Sequence, residues 1–125
     1  MIVLDASALL ALLNLEPGAD IVRDALPDVA ISIVNLAEVL TKGVERGAPV
    51  ERAMEQVRAL GIPVEPFDEA QAMIAAELRR LTVKGGLSIG DRACLALATV
   101  KEAEVLTTDR VWKSLPHGVN VTLIR

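Results

Sequence analysis

The stretch Met1-Ile-Val-Leu-Asp5-Ala-Ser7-Ala8 decides the fold. Four apolar residues end in a carboxylate, and a hydroxyl follows two positions later. A short apolar run closed by a polar cap reads as a fully buried strand feeding a helix. In open α/β sheets, ligands bind in the crevice beyond the carboxyl ends of the strands. Asp5 is therefore expected at the edge where a site would form, and the question is which other residues meet it there.

Working outward, Asp5 or Ser7 can cap a first helix from Ala8 to about Leu15 that is apolar nearly all round. Such a helix is either buried or covered by something else. Glu16-Pro-Gly18 breaks it, and a second helix runs to about Leu26. Val29-Ala-Ile31 is a second strand. Ser32-Ile-Val-Asn35 opens a third helix, Leu36 to about Arg46, and a fourth follows from Pro49 to Leu60. Pro63-Val-Glu-Pro-Phe67 fits an edge strand, as its prolines require. Asp68 caps a fifth helix that Gly85-Gly86 stops, and Ser88 caps a sixth to about Ala103. Glu104–Thr107 is a strand, Asp109–Leu115 a short helix and Val119–Ile124 the last strand. Strands alternating with helices indicate a parallel sheet with helices on both faces, the doubly wound α/β class. No linker or repeat divides the 125 residues, so one domain, 1–125, is expected.

The totals narrow the function. The apolar fraction is 52% and the mean hydropathy +0.43, a surplus that points to a surface covered by a partner or a second copy. No apolar run approaches the ~18 residues of a membrane span. The chain enters its first strand with no basic segment or cleavable apolar run before it, so a cytoplasmic protein is expected. A net charge of −4 argues against a non-specific nucleic-acid binder. It is compatible with an enzyme whose clustered acids hold metal ions. Phe67 and Trp112 are the only aromatics, so there is no platform for stacking bases. The single Cys94 lies in an apolar run and reads as a buried structural thiol. The single His117, in Pro-His-Gly, reads as a solvated turn residue. Ser-His-Asp and Cys-His catalysis thus have thin support, and no phosphate-binding glycine loop is present.

Four acids stand out: Asp5, Glu38, Asp91 and Asp109. Helices that follow strands begin at the carboxyl edge of a parallel sheet, which brings Asp5, Glu38 and Asp109 there. Asp91 joins them if the sixth helix runs antiparallel to the strand it precedes, and that polarity is expected. Each acid also has a structural reading. Asp5 and Asp109 can cap helices, and Asn35-x-x-Glu38 and Ser88-x-x-Asp91 have capping-box spacing. Taken together, four converging acids would repel one another, and buried carboxylates are costly unless paired or metal-bound. Divalent cations resolve that conflict. An all-carboxylate site suits Mg²⁺ or Mn²⁺ rather than Zn²⁺ and favours metal-assisted phosphodiester hydrolysis. Ser7 and Thr107 or Thr108 can orient a carboxylate or a water, or serve as local caps. Arg92 and Arg110 each follow a candidate ligand and can approach substrate phosphate or offset the acids.

Val3-Leu-Asp5-Ala-Ser7, Asn35-Leu-Ala-Glu38-Val, Leu87-Ser-Ile-Gly-Asp91-Arg-Ala-Cys-Leu-Ala-Leu-Ala and Leu106-Thr-Thr-Asp109-Arg-Val-Trp112 resemble, in order and spacing, the successive motifs of PIN-domain ribonucleases. The nearest resemblance is to the VapC-type toxins of toxin–antitoxin pairs, and it covers essentially the whole chain. It implies a PIN-like three-layer fold with a five-stranded parallel sheet of order 3-2-1-4-5. It implies that Asp5, Glu38, Asp91 and Asp109 are the catalytic acids and bind Mg²⁺ or Mn²⁺, with Asp5, Asp91 and Asp109 as the metal set. Ser7, Thr107 and Arg92 would position substrate or water. It further implies RNA cleavage leaving 5′-phosphate and 3′-hydroxyl ends, a homodimer, and a small antitoxin lying across the first, second and fourth helices. Two rivals remain. A phosphoacceptor receiver domain needs an acid pair after the first strand and a Lys at the end of the last, where this chain has Ile124-Arg125. A catalytically silent PIN-like module that only binds a partner would tolerate loss of an acid, and none is missing.

Overall fold

The computed structural model describes the backbone of residues 1–125, and side-chain surroundings at every position except Gly85. Five short parallel strands form the sheet: β1 (Ile2–Leu4), β2 (Val29–Ser32), β3 (Val64–Glu65), β4 (Glu104–Thr107) and β5 (Val121–Leu123). Their order is β3-β2-β1-β4-β5, with β1 at the centre. The register pairs Ile2 with Val29 on one side and with Glu104 on the other. Every pairing is parallel. The sheet thus has the expected order, and β3, between Pro63 and Pro66, is an edge strand as expected.

Six helices cover it: α1 (Ala6–Leu13), α2 (Ala19–Ala25), α3 (Ile33–Glu45), α4 (Val50–Ala59), α5 (Glu69–Thr82) and α6 (Ile89–Lys101). Successive strand residues face opposite sides of a sheet. Leu4, Ile31 and Leu106 accordingly pack with Leu9, Leu12, Val22, Leu36, Val39 and Val57 of α1 to α4. Val3 and Val105 pack on the other face with Leu78 of α5, Leu95 and Leu97 of α6, and Trp112. At roughly 1.5–3 kcal/mol for each large apolar side chain fully buried, these two layers dominate the stabilising side. Cys94 lies inside the second layer, fully buried, as the sequence predicts.

Several element ends differ from the sequence expectations. Helix α1 begins at Ala6, because Asp5 itself is the cap and accepts from the Ala6 N–H. Helix α3 begins at Ile33, because the cap is Ser32, which accepts from the Val34 N–H, and not Asn35. Strand β5 is three residues long, shorter than the apolar alternation of Val119–Ile124 suggests. Helix α1 is also less in need of a partner than its composition implies. The chain itself buries Ala6, Ala8, Leu9, Ala11 and Leu12, leaving Leu10 and Leu13 half-buried. Gly18 is required where α2 begins: its φ is +96°, and a Cβ there would lie 2.6 Å from the Ile124 carbonyl oxygen.

Candidate functional site

The carboxyl ends of β1 and β4 lie side by side, and the amino ends of α1, α3 and α6 converge beyond them. Helix α6 runs into β4 from that edge, which brings Asp91 to the same place as Asp5, as expected. A cavity of about 350 Å³ opens there, with Asp5, Ser7, Glu38, Lys42, Asp91 and Asp109 among its walls.

Asp5 is held most tightly. It is 5% exposed. Its Oδ1 accepts from the Ala6 N–H at 2.8 Å. Its Oδ2 accepts from the Ser7 hydroxyl at 2.6 Å and the Thr107 hydroxyl at 2.8 Å. Those hydroxyls are themselves held as acceptors, Ser7 Oγ by the Thr108 N–H and Thr107 Oγ1 by the Asp109 N–H. The Asp5 N–H continues the ladder to the Leu106 carbonyl at 3.0 Å. Ser7 and Thr107 therefore act on Asp5, and through their acceptor contacts they also set the backbone that presents Asp109. Asp109 caps the 3₁₀ turn Arg110–Ser114 by accepting from the Val111 N–H.

Asp91 forms a capping box with Ser88, each side chain accepting from the other's backbone N–H. The structural and functional readings of Asp5, Asp91 and Asp109 thus coexist: caps place these acids at helix starts, and helix starts sit at the site. Glu38 is different. It projects from the second turn of α3, and the Asn35 side-chain amide donates to its Oε1 at 2.7 Å.

The acids strain one another electrostatically. Burial pushes the Asp5 carboxyl up from 3.8 to about 6, against the pull of the Ser7 and Thr107 hydroxyls, and Asp91 and Glu38 push it further. Glu38 is raised, first by burial and then by Asp91, while Asn35 and Lys42 lower it. Asp91 is raised by burial and by Asp109, while Ser88 and Arg92 lower it. Uncompensated negative charge is therefore concentrated at this edge. Burial, with Asp5, Asp91 and Glu38 adding to it, also pushes the Cys94 thiol up, which leaves it inert as a nucleophile.

Among the described residues, no three His, Cys, Asp or Glu side chains are gathered tightly enough to form a ready-made metal cluster. The fit to a divalent cation is one of donor type and charge. Hard carboxylate oxygens are what Mg²⁺ and Mn²⁺ take, and carboxylates with raised pKa values are stabilised when a cation neutralises them. Asp5, Glu38, Asp91 and Asp109 are the carboxylates on this cavity that could offer such oxygens.

Two expectations need correction. Arg92 is not among the cavity walls: its Nη1 donates to the Ala75 carbonyl of α5 at 2.9 Å, so it ties α6 to α5. That contact commits one guanidinium nitrogen to the α5 backbone. His117 is not a free turn residue either. Its Nδ1 accepts from the Val119 N–H and its Nε2 lies 2.6 Å from the Trp112 carbonyl, so it pins the loop before β5. Three further residues bear on the site in ways their sequence signals do not show. Lys42 stands one turn after Glu38, a spacing at which helix side chains are neighbours. Asn35 has the spacing of a cap and instead donates to Glu38. Gly90, an isolated glycine within a helix, signals a packing reason.

A family model described as PIN domain matches residues 2–118. Among curated proteins, the VapC ribonuclease Mb2780c of Mycobacterium bovis is 32% identical over 111 residues, covering 78% of this chain and 82% of that protein. Ribonuclease VapC42 of Mycobacterium tuberculosis matches to the same degree. Among solved structures, a toxin–antitoxin complex from Klebsiella pneumoniae superposes with a TM-score of 0.78 at 20% identity, covering 100% of this chain and 98% of that one. FitAcB from Neisseria gonorrhoeae superposes with a TM-score of 0.70 at 25% identity, covering 97% and 96%. VapBC2 from Rickettsia felis, bound to a DNA fragment from its promoter, gives 0.77 at 20% identity and 98% coverage of both chains.

Proposed function

This chain belongs to the PIN-domain family, and we propose that it is a divalent-metal-dependent endoribonuclease, the toxin of a toxin–antitoxin pair. The observation that carries the reading is the convergence of Asp5, Glu38, Asp91 and Asp109 on one cavity at the carboxyl edge, with burial and mutual repulsion raising Asp5, Glu38 and Asp91. The curated relatives named as VapC ribonucleases add the substrate class.

Asp5, Asp91 and Asp109 would hold Mg²⁺ or Mn²⁺, which would supply Lewis acidity toward the phosphodiester and lower the pKa of water toward neutrality. The remaining work falls to the chain's own side chains. The Ser7 and Thr107 hydroxyls fix the Asp5 carboxylate against rotation by holding one of its oxygens. Glu38, raised and half-buried, is placed to hold or accept a proton at the cavity wall. Lys42 is a cationic wall residue and can meet a non-bridging phosphate oxygen of RNA. Catalysis needs no histidine, which agrees with His117 being committed to a loop.

The partner is a small antitoxin that lies across α1, α2 and α4. The half-buried Leu10 and Leu13 of α1, and Leu40 and Met54 in the groove between α3 and α4, offer it apolar contacts. A homodimer in the cytoplasm is the form in which the protein acts. No helix among the described residues is long and apolar enough to cross a membrane. The direct test is cleavage of RNA by purified protein with Mn²⁺, with EDTA, and with Asp5→Asn. Cleavage that survives either EDTA or the substitution overturns the assignment.

A further inference from the structure

Gly90 is the second residue of α6, and its backbone is ordinary right-handed helix that any residue could adopt. Glycine in a helix costs about 0.5–1 kcal/mol relative to alanine, so its presence needs a packing reason. That reason is Glu38. A Cβ built on Gly90 would lie 2.5 Å from Glu38 Oε1 and 2.6 Å from both Cδ and Oε2. Three carboxylate atoms at nearly one distance mean that the group lies flat across the place where a side chain would be.

Asn35 closes the arrangement from the other side. Its Nδ2 donates to Glu38 Oε1 at 2.7 Å and to the Gly90 carbonyl at 2.9 Å. Two acceptors facing one nitrogen fix the orientation of the amide. Asn35 is fully buried, and its Oδ1 has no partner, a cost that this orientation imposes. The same contacts join α3 to α6, so the helix that carries Glu38 is registered against the helix that carries Asp91.

We infer that Asn35 and Gly90 form a cradle that sets the position of the Glu38 carboxylate, with Asn35 as the donor and the bare Cα of Gly90 as the floor. Both are positioning residues, and the inference rests on the nuclease reading of Glu38. The carboxylate is the far end of a flexible side chain and can yield to a methyl group. Gly90→Ala is therefore a substitution that moves the acid and leaves the helix intact.

The test compares Gly90→Ala, Asn35→Leu, Glu38→Ala and the double variant Gly90→Ala/Glu38→Ala. Three readouts are used: RNA cleavage, Mn²⁺ affinity from the electron paramagnetic resonance of the free ion, and thermal unfolding of the metal-free protein. Gly90→Ala is expected to unfold at the same or a higher temperature than the parent. It should nevertheless cleave RNA at least about 10-fold more slowly, the scale seen when an outer hydrogen-bonding partner of a metal site is lost, and bind Mn²⁺ more weakly, because the displaced Glu38 carboxylate shares its cavity with the three acids that would hold the ion. In the Glu38→Ala background, Gly90→Ala should cause no further loss in either readout. Asn35→Leu should behave as Gly90→Ala does in cleavage and Mn²⁺ affinity.

Parent-like cleavage and Mn²⁺ affinity in Gly90→Ala would overturn the cradle. So would a loss of the same size with and without the Glu38 side chain, since the methyl group would then be meeting something else. A Gly90→Ala chain that is unstable, and is restored by Glu38→Ala, would uphold the contact through stability instead. If Glu38→Ala alone cleaves RNA at the parent rate, the nuclease reading of Glu38 fails, whatever Gly90→Ala does.

Discussion

The two edges of the sheet treat their polar groups in opposite ways. At the amino edge, a cavity of about 300 Å³ is walled by Glu102, Glu104 and His117 among others. There both His117 nitrogens are bonded to the backbone, and Glu104 accepts from the Thr122 hydroxyl at 3.0 Å. At the carboxyl edge, the hydrogen bonds hold the acids in place without neutralising them, and Asp5, Glu38 and Asp91 keep raised pKa values. Cavities of similar size thus differ in how many acids they gather: four with one lysine at the carboxyl edge, two with one histidine at the amino edge. A fold tolerates such an imbalance, at a cost in stability, where function needs it. The contrast marks the carboxyl edge as the working one.

The largest effect should come from removing the central charge. Asp5→Asn should reduce RNA cleavage well beyond the ~10–100-fold typical of an outer partner, measured as initial rate with Mn²⁺. Thr107→Val comes next. It removes a donor from Asp5 Oδ2 and leaves the Asp109 N–H without its acceptor. Cleavage should fall about 10-fold, and unfolding in urea should show a loss of about 1–3 kcal/mol.

The charge imbalance should also be visible in the stability of the metal-free protein. Asp5 has a folded pKa of about 6 against an ordinary 3.8, so the folded chain binds that proton more tightly than the unfolded chain. Stability is then fully present below about pH 4 and falls as the pH rises through 6, by roughly 2–3 kcal/mol for this group. Urea midpoints with EDTA between pH 4 and 7 should show that slope, and Asp5→Asn should flatten it. A smaller effect is expected for Lys42→Ala: a few-fold higher KM for RNA and a salt dependence shallower by about one phosphate contact. On the opposite edge, His117→Ala should cost about 1 kcal/mol through its lost hydrogen bonds, seen in the urea midpoint, with cleavage unchanged. A large loss of cleavage there would erase the distinction between the edges.

Much of this was open to reading in the chain, and the exceptions have a common cause. Apolar runs and caps located the strands and helices, since their signals are local. The order of the strands came from the resemblance, because pairing is not written in periodicity. The four acids were visible because each closes or follows an apolar run. Asn35 reads as a cap because Ser32 and Asn35 are both good caps three positions apart, and only the path of the chain after β2 chooses Ser32. The direction of Arg92 depends on a carbonyl of α5, seventeen residues before it in the chain. The reason for Gly90 lies in a side chain on another helix. What escaped was long-range contact, which no single segment encodes.

The ties of Asp5 have a consequence for the timing of biosynthesis. Its hydrogen-bond partners at the sheet centre, Leu106 and Thr107, are separated from it by most of the chain. A ribosome that has made the first hundred residues has made Asp5, Glu38 and Asp91 but none of the strand that holds Asp5 or the turn that presents Asp109. Domains fold as units as they emerge, at ~5–20 residues per second. A partial product, or one shortened before β4, therefore carries three of the four acids but lacks Asp109 and the Leu106 and Thr107 groups that hold Asp5, and it is expected to be inactive.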